Sequence, residues 1–180
     1  MMNVVASRYA EALFQVGEET NTTASLNEEL VAVVNILKSN EDFYNVLKSP
    51  LVGKGEKKDL LDKVFQNQLS ENLSNFLKLI IDKDRVSAIE AVQNSFKALL
   101  NEKNNVLEGT AITAVPMSQE EIKELELKLS KKYNKNVTLE NNVDESILGG
   151  VLVRLGNEEI DGTVKTRLAG MKNILSQVIS

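Results

Sequence analysis

Apolar residues recur at helical spacing through the first part of the chain, up to about residue 104. A first helix is predicted over residues 4–18. A second is predicted to begin at Ser25–Glu28, where serine and glutamate stand three residues apart as in a capping box. A short third helix over residues 42–48 ends before Pro50, because a residue that precedes proline is pushed away from the helical conformation.

Three more helical segments complete this part of the chain. Apolar residues three and four apart predict a fourth helix at Leu60–Phe65, a fifth over residues 69–80 and a sixth over residues 86–100. Six short helices with short loops are typical of one bundle. The sequence therefore predicts a mainly α protein that begins with a six-helix bundle.

The pattern changes in the second part of the chain. Val106–Val115 is rich in β-branched residues, stops at Pro116 and is predicted to be a strand. Ser118–Glu121 is a second capping-box match, and Met117 and Ile122 stand at the two positions of a hydrophobic staple. A further helix is therefore predicted to start here.

Short strands and a hairpin follow this helix. Strands are predicted over residues 137–139 and 147–155. Gly156-Asn157 is predicted to turn the chain back into a strand over residues 158–160.

A final helix is predicted after the hairpin, capped by Asp161 or Thr163. Its apolar face consists of Val164, Leu168, Met171, Leu175 and Val178. The whole pattern predicts two domains: an N-terminal helical bundle over residues 1–104 and a smaller mixed α/β domain over residues 105–180. The polar segment Glu102–Asn105 is predicted to be the hinge between them.

Cysteine and histidine are both absent. This excludes a disulfide framework, a thiolate nucleophile, a zinc site of the Cys/His kind and a Ser-His-Asp triad. Carboxylate chemistry is not excluded by these absences, but the range of possible enzyme chemistry is much narrower, and we predict no catalytic residues, no cofactor and no metal. The net charge is −5, and only four of the 21 basic residues are arginine, which argues against nucleic acid as the main partner.

The N-terminus shows no basic segment, long apolar stretch or cleavage site of a signal peptide. The apolar runs are much shorter than the ~20 residues that a membrane-spanning helix needs. We expect a soluble, cytoplasmic protein, which is compatible with a position beside a membrane.

Two polar features could suggest chemistry. Gly53–Lys58 superficially resembles a phosphate loop, but it lacks the spacing of one and no strand precedes it, so it is interpreted as a solvated loop and helix start. Acidic residues also recur in pairs, which we interpret as solvated carboxylates at helix starts and turns. These pairs are Glu41-Asp42, Asp82/Asp84, Asp144-Glu145 and Glu158-Glu159.

The first helix is apolar on more than one side, and small residues at Ala6, Ala10 and Ala12 would let another helix approach closely. Burial within the bundle and docking of a partner are both open for this helix. Gly149-Gly150 lies within the second predicted strand. A structural role, as a bulge or a close approach of backbone, is favoured there over a docking role.

Two motifs resemble those of a known family. The stretch Val137–Asn157 resembles the C-terminal signature of ATP synthase delta subunits and of their mitochondrial counterpart, the oligomycin-sensitivity-conferring protein. Ser7–Phe14 is similar to the first-helix motif of the same family. Weaker agreement lies between the two, so the resemblance covers nearly the whole chain. The signature positions include Val143, Asp144, Gly149, Gly150, Arg154 and Gly156.

The resemblance implies a non-catalytic stator linker of a bacterial F-type ATP synthase, peripheral at the cytoplasmic face of the cell membrane. The N-terminal domain would bind the amphipathic N-terminal helix of an alpha subunit of the catalytic head, through Tyr9, Ala12, Leu13 and Leu79. The C-terminal domain would bind the C-terminal ends of b-type stalk subunits. Such a linker would resist rotational torque during ATP synthesis coupled to ion transport.

Two other interpretations remain open from the residues. One is an unrelated helical adaptor or an RNA-binding helical bundle, which the acidity and the scarcity of arginine disfavour. The other is a small enzyme that uses carboxylates or a cofactor. Recovery of alpha, beta and b-type subunits from cell membranes would favour the stator.

Overall fold

The computed structural model describes the backbone of residues 2–65, 68–156 and 158–179, and the side chains of residues 4–65, 68–156 and 158–172. Within it the chain divides into two compact units, residues 1–100 and residues 101–180.

The described part of the first unit contains helices joined by short turns and loops. The elements are α1 (Met2–Glu19), α2 (Thr23–Ser39), α3 (Glu41–Lys48), α4 (Lys54–Phe65), α5 (Glu71–Asp82), a short 3-10 helix (Val86–Ala88) and α6 (Ile89–Lys103). The prediction of a mainly helical protein with an N-terminal set of helices is thereby confirmed. The last of these helices continues through the first half of the predicted hinge, Glu102 and Lys103, and the second half is the turn at Asn104 and Asn105.

The core of the first unit is aliphatic, with a few aromatic side chains between helices. Leu26, Leu30 and Val33 on α2 are almost completely buried. Phe14 on α1 meets Phe96 on α6 edge to face, with ring centroids 5.4 Å apart. Each buried leucine or phenylalanine contributes roughly 1.5–3 kcal/mol by leaving water, so such residues hold the helices together.

The start of α2 differs from the prediction. The helix begins at Thr23, and the N–H of Leu26 donates to the carbonyl oxygen of Thr22 at 2.9 Å, so Ser25 is already inside the first turn. The Ser25 hydroxyl donates to Glu29 at 3.2 Å and caps no helix. The capping-box prediction at Ser25 is wrong because the chain enters the helix earlier, at Thr23, two residues after the left-handed Asn21 (φ 54°).

The second unit contains a small mixed sheet. Its elements are β1 (Val106–Thr113), α7 (Gln119–Tyr133), β2 (Asn136–Val143), β3 (Val151–Leu155), β4 (Glu158–Asp161) and α8 (Val164–Ile179). The strand order is β2-β1-β3-β4. Strand β1 runs parallel to β2 and antiparallel to β3, which is antiparallel to β4. Helix α7 connects the parallel strands β1 and β2 and packs on the sheet, as a crossover helix does.

The predicted cap of α7 is confirmed. The Ser118 hydroxyl accepts the N–H of Glu121 at 3.3 Å, and the Glu121 carboxylate accepts the N–H of Ser118 at 2.8 Å. Met117 and Ile122, the predicted staple, both pack against the core of this unit. The backbone hydrogen bond from Ser118 is the main reason that the pKa of Glu121 lies below its usual value.

Of the predicted strand over residues 147–155, only the part from Val151 to Leu155 is a strand in the structure. Strand β3 begins only at Val151, and residues 144–150 form turns. Gly149 (φ +150°) and Gly150 (φ +86°) have backbone angles that take the chain out of a strand. Strand β2, in contrast, is longer than predicted and extends to Val143.

Candidate partner-binding surfaces

Helix α1 presents two different apolar sides. Ala6 and Ala10 are fully buried and Leu13 is 3% exposed, so these residues belong to the core of the first unit. Tyr9 and Ala12 lie beside this buried stripe, where Tyr9 is half-buried and Ala12 is exposed. The structure therefore separates the predicted contact residues: Leu13 supports the fold, whereas Tyr9 and Ala12 reach the surface.

The exposed side of α1 is longer than the prediction assumed. Val5, Tyr9, Ala12 and Val16 are spaced by four, three and four residues, which places them on one side of the helix. Val5 is half-buried and Val16 is 38% exposed. The same spacing was present in the sequence and could have added Val5 and Val16 to the candidate contact residues.

Helix α5 continues this apolar surface. The Tyr9 ring meets Phe76 of α5 edge to face, with centroids 6.2 Å apart. Leu79 follows Phe76 by three residues, hence one turn further along the same helix, and is 44% exposed. We call the set Val5, Tyr9, Ala12, Val16 and Leu79 the α1–α5 surface. It offers apolar contacts from two packed helices.

The segment Gly53–Lys58 includes the start of α4, and two of its lysines contact residues at the end of α5. Lys54 lies 2.9 Å from the carboxylate of Asp84 and donates to the carbonyl oxygen of Asp82 at 2.6 Å. Lys58 pairs with the Asp82 carboxylate at 2.7 Å. The hydrogen bond from Lys54 holds the pKa of Asp84 below its usual value. These lysines therefore join the start of α4 to the end of α5.

The acidic pair Glu158-Glu159 is also engaged within its own unit. The Tyr133 hydroxyl donates to Glu158 at 2.6 Å, and this hydrogen bond raises the pKa of Tyr133. Arg154, a predicted signature residue, forms an ion pair with Glu159 at 2.8 Å across β3 and β4. Across the described parts of the chain, no three acidic side chains gather in a way that could hold a metal ion.

The glycine pair at residues 149–150 lies against the start of α8. A Cβ atom on Gly150 would lie 2.5 Å from the carbonyl oxygen of Gly162 and 2.8 Å from the Cα of Thr163. The N–H of Val164 donates to the carbonyl oxygen of Gly149 at 3.0 Å. This close approach of two backbone segments favours the structural role of Gly150.

The other signature residues shape the ends of the strands. The Asp144 carboxylate accepts hydrogen bonds from Ser146, which lower the pKa of Asp144, and the N–H of Asp144 donates to Thr113. Val143 is exposed at the end of β2. Gly156 adopts a left-handed conformation (φ +57°) at the predicted hairpin turn, whose second residue, Asn157, lies outside the described residues.

The start of α8 is held by both predicted capping residues. The Asp161 carboxylate accepts the N–H of Thr163 at 2.8 Å and the hydroxyl of Thr166 at 2.6 Å. The N–H of Thr166 reaches the Thr163 hydroxyl at 3.4 Å. Beyond this anchored start, the described side chains of the helix are exposed, including Val164, Leu168 and Met171. Leu175 and Val178 of the predicted face lie outside the residues whose side chains are described.

Each unit thus presents an exposed apolar surface on a helix, the α1–α5 surface in the first unit and the outer face of α8 in the second. Among the described helices, none is both long and apolar enough to cross a membrane. The fold and these surfaces define a two-unit, mainly helical adaptor protein.

Comparison with known proteins identifies the family of this adaptor. The sequence profile described as "ATP synthase delta (OSCP) subunit" matches residues 5–175. The chain is 62% identical to the ATP synthase subunit delta of Clostridioides difficile (strain 630), covering 100% of both chains. It is 42% identical to that of Alkaliphilus metalliredigens (strain QYMF), covering 99% of both. The chain belongs to the ATP synthase delta (OSCP) subunit family, and it is a structural subunit rather than an enzyme.

Solved structures support the same fold. A chain of the Toxoplasma gondii mitochondrial ATP synthase hexamer is similar with a TM-score of 0.71 at 22% identity, and the match covers 97% of both chains. A chain of the Polytomella F-ATP synthase matches with a TM-score of 0.51 at 19% identity, covering 54% of this chain and 88% of that one. Family membership decides against an unrelated adaptor, an RNA-binding bundle or a small enzyme.

Proposed function

We propose that this chain is the stator linker of a bacterial F-type ATP synthase. It joins the alpha subunits of the catalytic head to b-type subunits of the peripheral stalk and resists the torque that rotation exerts on the head. The observation that carries this proposal is the family match over residues 5–175 in a chain whose two units each expose an apolar helical surface.

The N-terminal domain, a six-helix bundle over residues 1–104 that contains the first unit, binds the head. Its α1–α5 surface takes the apolar face of the amphipathic N-terminal helix of an alpha subunit, in the manner of a helix in a groove. Tyr9, Ala12 and Leu79 contact that helix, and Leu13 supports them from the core. Exposed apolar side chains on two packed helices support this assignment, because they bury area on docking without rearranging the unit.

The C-terminal domain, residues 105–180, binds the C-terminal ends of b-type stalk subunits. Two attachments on one molecule gain from effective concentration: once one end is bound, the other binds as an intramolecular event. A linker with two moderate contacts can thus hold firmly under load, provided that both are engaged at once. The protein accordingly works as a peripheral component at the cytoplasmic face of the cell membrane.

Recovery of the complex from cells tests the proposal. Tagged full-length protein is expected to recover alpha, beta and b-type subunits from detergent-solubilised membranes. The Ala12→Asp variant is expected to lose the head subunits and to keep the b-type subunits. The matched control is Ala98→Asp, which adds the same charge at an exposed alanine of α6. Recovery of none of these subunits by the folded wild-type protein would contradict the proposed function.

A further inference from the structure

The start of α5 is capped by a carboxylate that comes from another helix. Ser70 stands directly before α5, and its hydroxyl oxygen accepts the N–H of Leu73 at 3.4 Å. The N–H and the hydroxyl of Ser70 both donate to one carboxylate oxygen of Glu29 on α2, at 2.8 Å each. Glu29 precedes Ser70 by 41 residues. These hydrogen bonds therefore join two helices that are distant in the sequence.

The cap of α7 has the same geometry within a single helix. There the N–H and the hydroxyl of Ser118 both donate to one oxygen of Glu121, also at 2.8 Å each. A capping box places this glutamate three residues after the capping serine. In α5 that position is Leu73, which is completely buried in the core of the first unit. Because leucine offers no carboxylate, Glu29 of α2 takes the place of the missing glutamate.

The other end of α5 is bonded to α4. Lys54 donates to the carbonyl oxygen of Asp82, and Lys58 pairs with the Asp82 carboxylate, as described above. Cations are favourable at the end of a helix because its last carbonyl groups carry a partial negative charge. Helix α5 is thus attached at its start to α2 and at its end to α4.

Helix α5 supplies one side of the α1–α5 surface between these two attachments. Phe76 contacts Tyr9 of α1, and Leu79 is exposed one turn further along. Apolar contacts are non-directional, whereas hydrogen bonds have a narrow range of lengths and angles. The polar contacts at both ends therefore restrict the rotation of α5 about its axis and its sliding along that axis.

We propose that Glu29 is a positioning residue for the binding of the catalytic head. Through Ser70 it holds α5 where Leu79 and Tyr9 contact the same partner helix, and Glu29 itself does not contact that partner. The inference rests on the function proposed above, in which the α1–α5 surface binds the N-terminal helix of an alpha subunit.

Substitution of Glu29 in the full-length chain tests this role. The probe is a peptide of the alpha-subunit N-terminus from the same cells, titrated by calorimetry. Glu29→Ala is expected to weaken binding about fivefold, the factor that corresponds to the loss of a typical helix cap. Glu29→Gln keeps an oxygen that accepts both Ser70 groups and should bind like the wild type. In NMR, the N–H of Ser70 should exchange faster with solvent in Glu29→Ala and at the normal rate in Glu29→Gln.

Two control variants separate positioning from charge and from stability. Glu28→Ala removes the same charge from the neighbouring, exposed residue of α2. Glu121→Ala removes the equivalent cap from α7, in the other unit. Both should bind the peptide like the wild type, although Glu121→Ala loses a cap of the same geometry.

The outcomes distinguish this inference from the proposed function. Wild-type affinity in Glu29→Ala would overturn the positioning role and leave head binding intact. If Glu29→Ala does not fold, Glu29→Asp takes its place, because its shorter carboxylate withdraws from Ser70, and wild-type affinity there would equally overturn the role. Equal weakening by Glu29→Ala and Glu29→Gln would assign the effect to charge and contradict the proposal. If the wild-type protein does not bind the peptide, the proposed head binding itself fails.

Discussion

The first and the last helices of the chain have similar lengths, 18 and 16 residues, and both carry apolar stripes, but they use them differently. Helix α1 buries one stripe in its own core through Ala6, Ala10 and Leu13 and leaves a second stripe on the flank. On α8, the apolar residues Val164, Leu168 and Met171 are all exposed. Apolar periodicity therefore indicates that a helix packs against a neighbour, but it does not show whether that neighbour belongs to the same chain.

The largest expected effect separates these two roles directly. Leu13→Ala removes a buried side chain and should lower the free energy of unfolding by roughly 2–5 kcal/mol. Leu168→Ala truncates an exposed leucine and should change it by less than about 0.5 kcal/mol. Thermal and urea unfolding followed by circular dichroism measure both. Equal destabilisation by the two substitutions would show that α8 packs within its own chain.

The exposed stripe of α1 should matter for binding rather than for stability. Ala12→Asp places a charge in the proposed apolar contact and should cost about 2–4 kcal/mol of binding free energy, because the charge loses water without a partner. This corresponds to a loss of affinity of roughly 30- to 1000-fold. Titration with a peptide of the alpha-subunit N-terminus measures the loss, and Ala98→Asp is the control. Unchanged affinity in a folded Ala12→Asp variant would assign this side of α1 to the fold alone.

The glycine at the base of α8 should matter for the second unit only. Gly150→Val forces a side chain into a left-handed position against the backbone of Gly162, and backbone strain of this kind costs about 1–3 kcal/mol. Hydrogen exchange of the full chain should show faster exchange in β1–β4 and unchanged exchange in α2 and α5. Gly170→Ala, where a Cβ meets open space, is the control and should not destabilise. Normal exchange together with lost stalk binding would favour a docking role for Gly150.

The smallest expected effect concerns pH. The hydroxyl of Thr166 and the N–H of Thr163 bond the Asp161 carboxylate and hold the pKa of Asp161 below 3.8. The ionised carboxylate therefore stabilises the start of α8 above about pH 4, and this stabilisation is lost as the pH falls through the folded pKa. Carbon-13 NMR titration of the Asp161 carboxyl should place its pKa below 3.8. In Asp161→Asn, the melting temperature should depend less on pH between about pH 5 and about pH 3. A pKa of Asp161 above 3.8 would show that its ionised carboxylate does not stabilise the start of α8.

The predicted hinge offers a further way to separate the two units. We expect limited proteolysis to cut first at Glu102–Asn105 and to leave a folded helical fragment of about a hundred residues, because cleavage concentrates where few contacts hold the backbone. Within this segment, the protease should cut the helical residues Glu102 and Lys103 more slowly than the turn at Asn104 and Asn105. Fragments that unfold on cleavage would show that the two parts need each other.

Sequence alone predicted the helices well, because each has an apolar face at a spacing of three and four. It placed the start of α2 wrongly, since serine and glutamate three residues apart also occur inside a helix, as at Ser25. It extended β3 backwards through Gly149 and Gly150, because an apolar run does not reveal left-handed backbone angles.

The candidate site was predictable in outline. The sequence points to α1, but neither its periodicity nor the family resemblance tells which of its two stripes faces the core, and the predicted contact set therefore includes the buried Leu13 beside Tyr9 and Ala12. The pattern also predicted the apolar face of α8. Only the structure shows that Val164, Leu168 and Met171 are left uncovered by their own unit.

Simultaneous binding of two peptides tests the central claim most directly. Full-length protein is mixed with a peptide of the alpha-subunit N-terminus and a peptide of the b-type C-terminus, and the complexes are weighed by analytical ultracentrifugation. We expect one ternary complex. Ala12→Asp should lose only the alpha-subunit peptide and Leu168→Asp only the b-type peptide, while Leu127→Asp, at an equally exposed leucine of α7, should keep both. Competition between the peptides, or binding of both to one unit, would contradict a linker with two separate ends.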